Sequence, residues 1–246
     1  MRTIGLVMPW WGNAPAWLPQ FFRRAAATTR IEMILLGDAA RFAPELNTSR
    51  MPVTMDEFEA RASQLVGFPV RKRSESFPRG QSLCELRPML ADMYPDLLAK
   101  YEWWGWGEFD CVWGDWDSLL TDELMARYDM IGSNSYSVTG PLTIFRNVPA
   151  MAKLYESRLD LVAIPEYANL DESGLNGVVR VAVEAGRMRA FYAGVEAHDR
   201  LERWNRCILR GNKLYPMDAQ GNVGREIMIF HFPRTNEWKL REEAAA

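Results

Sequence analysis

The sequence predicts an α/β fold, a central mixed, mainly parallel sheet flanked by helices. Two observations carry that expectation. Apolar runs at residues 3–9 and 31–36 read as buried strands with a helical stretch between them. Thr54 and Glu57 then stand in a capping-box relation ahead of another helix. Alternation of this kind favours a parallel sheet over separate helical and strand layers.

Taken in order, residues 3–9 form the first strand, and Trp10, Trp11, Gly12 and Asn13 leave it as a loop. Residues 16–29 read as a helix, with Pro19 tolerated in its first turn. Residues 31–36 are the second strand, ending at Gly37 and Asp38. The helix after Thr54 runs over residues 55–66, and residues 68–70 read as a third strand. Ser82 and Glu85 repeat the capping spacing, so one or two helices are expected to about residue 100, broken near Pro95. The aromatic stretch 101–106 suits a strand. Helices are expected at 119–128, 148–158 and 174–185, with strands at 130–131 and 142–145. Residues 207–209 and 214–217 read as a hairpin across Gly211 and Asn212, and 226–232 as the last strand. No internal repeat or low-complexity linker is visible, so residues 1–240 are expected to be one domain and 241–246 a polar tail.

The chain has 246 residues, 48% of them hydrophobic and 25% charged, an ordinary balance for a folded protein. Its net charge is -3 with no basic stripe, which argues against a nucleic-acid partner. Three widely spaced cysteines, Cys84, Cys111 and Cys207, fit neither a disulfide framework nor a zinc pattern. Neither a leader segment nor an apolar run of spanning length is evident, so a cytoplasmic protein is expected, with at most peripheral membrane association. Several of the ten tryptophans sit in polar stretches, where aromatic faces can stack on sugars or bases.

The chemistry centres on Glu108-Phe109-Asp110, at the end of the aromatic strand. Two carboxylates one residue apart converge when the chain bends between them, and hard oxygen ligands suit a divalent cation. The carboxyl end of a strand is also where open α/β sheets place ligands. The bland alternative for such a triplet is a solvated turn.

With these residues in view, the chain resembles bacterial glycosyltransferase-like proteins of the GT-A type, found beside polysaccharide biosynthesis genes. The likeness runs in order through Met8-Pro9-Trp10-Trp11-Gly12, Ile34-Leu35-Leu36-Gly37-Asp38, Leu83-Cys84-Glu85-Leu86-Arg87-Pro88, the aromatic strand with its acidic triplet, Gly114-Asp115, Gly140 to Asn147, Asp171-Glu172 and His231-Phe232. Two departures stand out, because the family usually has aspartate at the position of Glu108 and often lysine at that of Arg87.

The resemblance implies a metal-dependent hexosyltransferase-like enzyme. It would use Mn2+ or Mg2+, a nucleotide-sugar donor (a UDP- or GDP-sugar) and a carbohydrate or small-molecule acceptor. Glu108, Asp110 and His231 are the expected metal ligands, although His231 reads equally as a core histidine. Pro9, Trp10, Trp11, Gly12 and Asp38 would line the donor pocket, and Arg87 would meet the donor phosphates. Either Asp171 or Glu172 would take the acceptor proton; capping the following helix is their other reading. His198 is expected on the surface, in a charged helical stretch. Two rivals remain, a nucleotidyltransferase or phosphohydrolase, and a non-catalytic carbohydrate-binding protein on the same fold.

Overall fold

The computed structural model describes residues 3–42, 48–73, 75, 78–198, 204–211, 213–232 and 240–243. Its centre is a seven-stranded sheet in the order β3-β2-β1-β4-β7-β6-β8. The strands are β1 (Ile4–Trp10), β2 (Ile31–Gly37), β3 (Thr48–Met51), β4 (Trp103–Gly107), β6 (Met130–Gly132), β7 (Leu142–Arg146) and β8 (Ala190–Tyr192), with β5 (Cys111–Trp113) lying outside it. Pairing is parallel everywhere except on the two sides of β7. The expected mixed, mainly parallel sheet flanked by helices is therefore the architecture adopted.

Side-chain alternation along β1 and β4 builds a core on each face. Ile4, Leu6, Met8 and Trp103 point to one face, where Phe21 and Phe22 of α1 (Leu18–Ala25) cover them. Val7, Trp104 and Trp106 point to the other, beneath Phe58 and Ala62 of α2 (Met55–Val66). Trp103, Trp104, Trp106, Trp113 and Trp116 are all fully buried, so half of the ten tryptophans are core anchors and not sugar platforms.

Several local expectations need correction. The third strand is Thr48–Met51, whereas 68–70 is irregular, although Val70 is buried. Thr54 and Glu57 form both bonds of the capping box. Ser82 and Glu85 form neither; Arg79–Leu83 is one short helix and Cys84–Met89 continues it as 3-10 turns. Residues 148–158 break into a helix at Pro149–Ala152 and 3-10 turns at Leu154–Arg158. The helix Leu175–Glu184 is preceded by a π-helical turn, Leu170–Gly174.

Two three-stranded sheets complete the chain. One joins β10 (Trp204–Arg210) and β11 (Lys213–Asp218) as the expected antiparallel pair, and β13 (Leu240–Glu243) lies parallel to β10, running from the last residue of the expected domain into the stretch expected to be a tail. Asn212, expected to help turn that hairpin, lies outside the described residues. The other sheet has the order β5-β12-β9, with β9 (Glu196–His198) and β12 (Ile229–His231). His198 thus ends a strand and not a helix. No helix among the described residues is long and apolar enough to cross a membrane.

Candidate functional site

Strand order places the site. β1 lies between β2 and β4 and is parallel to both, so the chain leaves β1 toward β2 on one side and reaches β4 on the other. The carboxyl ends of β1 and β4 flank that switch point, the usual ligand crevice of an open α/β sheet. Trp10 and Trp11 leave the end of β1, and Glu108 leaves the end of β4.

Phe109 orients the acidic triplet. Its buried ring packs edge-on to Phe21 at 5.2 Å and Phe22 at 6.1 Å, with Trp10 at 5.9 Å. With Phe109 anchored in the core, Glu108 and Asp110 keep their carboxylates partly open to solvent at 25% and 27%. The β5–β12 register then sets His231 opposite Cys111, and Phe232 N–H donates to Asp110 O at 3.0 Å. His231 Nε2 consequently lies 3.2 Å from Glu108 Oε2 and 3.4 Å from Asp110 Oδ2. Residues 108, 110 and 231, far apart in sequence, form one cluster.

The charges interlock. Burial opposes a charged His231, but Asp110 and then Glu108 outweigh it and push the imidazole pKa up to about 9. Burial likewise opposes a charged Asp110, and His231 overcomes it, so that carboxyl falls below its ordinary value. Burial raises Glu108 despite Arg87 and His231.

Asp110, Cys111 and His231 each offer a ligand atom within 4.8 Å of the others. Burial, reinforced by Asp110 and Glu108, holds the Cys111 thiol well above its usual value, so it is a poor thiolate source. What remains is a carboxylate oxygen and an imidazole nitrogen, a set that a divalent ion such as Mn2+ could use once it displaced the proton that Asp110 and Glu108 favour on His231. Asp110 and His231 would hold such an ion, with Glu108 beside them.

Arg87, expected to meet donor phosphates, lies behind the acidic turn. It is buried, and its guanidinium lies between Glu108 and Asp171, 3.0 Å from Glu108 Oε1 and 2.5 Å from Asp171 Oδ2. Asp171 is also fully buried, and burial, with Glu172 and Glu108 adding to it against Arg87, pushes its carboxyl up to about 7. Glu172 is less enclosed and accepts Gly140 N–H at 2.9 Å.

The donor-pocket residues divide. Trp11 and Asp38 line a cleft of about 360 Å³ together with Arg41, Arg79 and residues 52–57. Asp38 Oδ2 accepts Gly12 N–H at 2.9 Å, tying the loop after β1 to the end of β2. Gly37 makes the approach possible, because with φ +79° it has a conformation side chains disfavour, and a Cβ there would meet Trp10 O at 2.6 Å. Trp11 donates to Val53 O at 2.9 Å and packs on Phe58, whereas Pro9 and Trp10, at the end of β1, and Gly12, in the loop after it, do not line the cleft.

Sequence reading missed Glu196 and the role of Glu85. Glu196 accepts Ser133 Oγ at 2.6 Å and Thr139 Oγ1 at 3.4 Å, bracing the loop between β6 and β7, and its charge reaches His231. Glu85 accepts Ala168 N–H at 2.6 Å and Leu170 N–H at 3.0 Å, fixing the approach to Asp171. Only the pairing of distant segments reveals either.

A model of a family of unknown function, DUF6625, matches residues 6–199. The chain belongs to DUF6625. The matched span holds every candidate site residue except His231. No curated protein matches the sequence. Among solved structures, the chain is similar to the apo crystal structure of mouse xyloside xylosyltransferase 1, with a TM-score of 0.49 and 9% identity over 96% of this chain and 99% of that one.

Proposed function

We propose that the chain is a glycosyltransferase that moves a sugar from a nucleotide-diphosphate sugar to a hydroxyl acceptor. One observation carries the reading: His231 sits against Glu108 and Asp110 at the carboxyl end of β4, beside the switch point of the sheet. A divalent cation bound there supplies positive charge for a departing diphosphate. Asp110 and His231 would hold it, and Glu108 braces His231. The nucleoside half of the donor takes the cleft lined by Trp11 and Asp38, at the ends of the neighbouring strands. Glu172, more open than Asp171, is the better placed of the two acids to accept the acceptor's proton. Asp171 is enclosed on Arg87 and supports the site from behind.

The test is turnover of UDP- and GDP-sugars with Mn2+ or Mg2+, read as release of intact nucleoside diphosphate. Asp110→Asn should lower turnover at least about 100-fold, the range for losing a group that stabilises developing charge, with its melting temperature close to wild type. Equal turnover in a folded Asp110→Asn variant removes the proposed centre. Release of a nucleoside monophosphate with the sugar 1-phosphate assigns phosphohydrolase chemistry instead, and formation of a nucleoside triphosphate on adding pyrophosphate assigns nucleotidyl transfer.

A further inference from the structure

Every nitrogen of Arg87 already has two partners. Nε donates to Cys84 O at 3.0 Å and Asp171 Oδ2 at 2.9 Å. Nη1 donates to Glu108 Oε1 at 3.0 Å and Gly140 O at 3.4 Å. Nη2 donates to Glu108 Oε1 at 3.1 Å and lies 2.5 Å from Asp171 Oδ2. A guanidinium so engaged has no N–H left to offer a phosphate, so its use lies in what it holds.

What it holds is a chain of contacts. Arg87 grips Glu108 by Oε1, and the other oxygen, Oε2, faces His231 Nε2 at 3.2 Å. The same imidazole faces Asp110 at 3.4 Å. On its other side Arg87 grips Asp171 in the turn Leu170–Gly174. Gly140 leaves room for the arrangement, since a Cβ there would come within 2.3 Å of Glu108 Oε1. Glu85, two residues before Arg87, takes the N–H groups of Ala168 and Leu170. One short segment thus fastens the turn before Asp171 and the acidic turn together.

We propose that Arg87 is a positioning residue: by fixing Oε1 of Glu108 it sets Oε2 against His231, and so fixes the imidazole beside Asp110. Planarity is what qualifies arginine for this. Its fork reaches two carboxylates and two carbonyls in fixed directions, whereas a lysine ammonium is a point charge on a flexible stem. The family the chain resembles often has lysine here but usually aspartate at the position of Glu108, so the decisive variant is Arg87→Lys with Glu108 kept. The consequence for cation binding rests on the proposed role of Asp110 and His231, but the orientation of His231 can be measured with no cation present.

The chain has two histidines, so a ¹H–¹⁵N spectrum of histidine-labelled, metal-free protein contains two ring systems, assigned with His198→Gln. In wild type the His231 Nε2–H signal should be displaced downfield and exchange slowly. In Arg87→Lys it should move toward the free-imidazole position and exchange faster, as in Glu108→Gln. Gly140→Ala, which displaces Glu108 without removing the arginine, should do the same, and it carries the test should Arg87→Lys fail to fold. A wild-type His231 signal in folded Arg87→Lys or Gly140→Ala overturns the inference. A Mn2+ titration separates it from the functional reading. Wild type should bind Mn2+, and Arg87→Lys should bind about 10- to 100-fold more weakly, the usual effect of losing a group that orients a ligand. Failure of wild type to bind Mn2+ or Mg2+ counts against the functional reading, while the histidine signal still decides the role of Arg87.

Discussion

A carboxyl group enclosed beside two other acids keeps its proton longer than one in water, and Asp171 is in that position. Its pKa rises from 3.8 to about 7, chiefly through burial. The sign follows directly. In the unfolded chain the group loses its proton near 3.8, whereas in the folded chain it keeps it to about 7. Between those values the folded state binds more protons, so stability falls as pH rises. One group of this kind gives a slope of at most about 1.4 kcal/mol per pH unit. His231 acts in the same direction, but its window opens at 6.5 and closes near 9. Urea denaturation from pH 4 to 6.5 therefore stays below the His231 window, and Asp171→Asn should lessen the decline that wild type shows, leaving the part that the raised Glu108 contributes. Parallel declines in the two proteins would assign the slope elsewhere. At this scale the sequence identifies the acids of the triplet and His231 as chemically telling residues, because type, spacing and strand-end position are all local. The role of Arg87 is hidden, since its meaning lies in Glu108 and Asp171, which reach it from other segments.

Two four-residue patterns of the same form meet opposite fates. Thr54 and Glu57 cap α2, with Glu57 on the Thr54 N–H at 2.7 Å. Glu85 faces inward, fully buried, where Lys72 Nζ lies 3.4 Å away and is itself bonded to Leu161 O at 3.0 Å and Ile164 O at 2.7 Å. A capping motif is a local signal, and tertiary partners for the glutamate can override it. The energetic consequence is large. Burial lowers the Lys72 pKa and Glu85 works against that, so neither charge is easily left alone. Lys72→Met should destabilise the fold by about 3–5 kcal/mol, the cost of stranding a buried charge. Thr54→Ala should cost about 1 kcal/mol, an ordinary capping loss. Combining Lys72→Met with Glu85→Leu should recover part of the larger loss, because no charge is then stranded. Urea midpoints for the four proteins decide it; a Lys72→Met variant no less stable than Thr54→Ala would mean that the pair contributes little.

For the whole molecule, alternation along the N-terminal half is enough to expect a mainly parallel sheet, because β1 and β2 are apolar at nearly every position. The strand order is not legible. β3 is a polar four-residue strand, Thr48–Met51, without a pattern of its own, and β7 enters antiparallel between β4 and β6 by pairings that local sequence does not encode. That order creates the switch point between β1 and β4, and with it the relation between the acidic turn and the cleft at Trp11. If the nucleoside half of a donor fills that cleft, a nucleoside diphosphate should stabilise the folded chain, because it binds only that state. At a ligand concentration 100 times its dissociation constant the gain is about 2.7 kcal/mol, which for a chain of this size raises the melting temperature by roughly 5–10 °C. Trp11→Leu lowers the starting melting temperature by loosening its packing on Phe58, so the quantity to compare is the rise on adding nucleotide with Mn2+. That rise should be largely lost in Trp11→Leu and kept in Val181→Ala, a change at a half-exposed position away from the cleft. An undiminished rise in Trp11→Leu would place the nucleoside elsewhere, and no rise in wild type with any nucleoside diphosphate would count against the nucleotide-sugar reading itself.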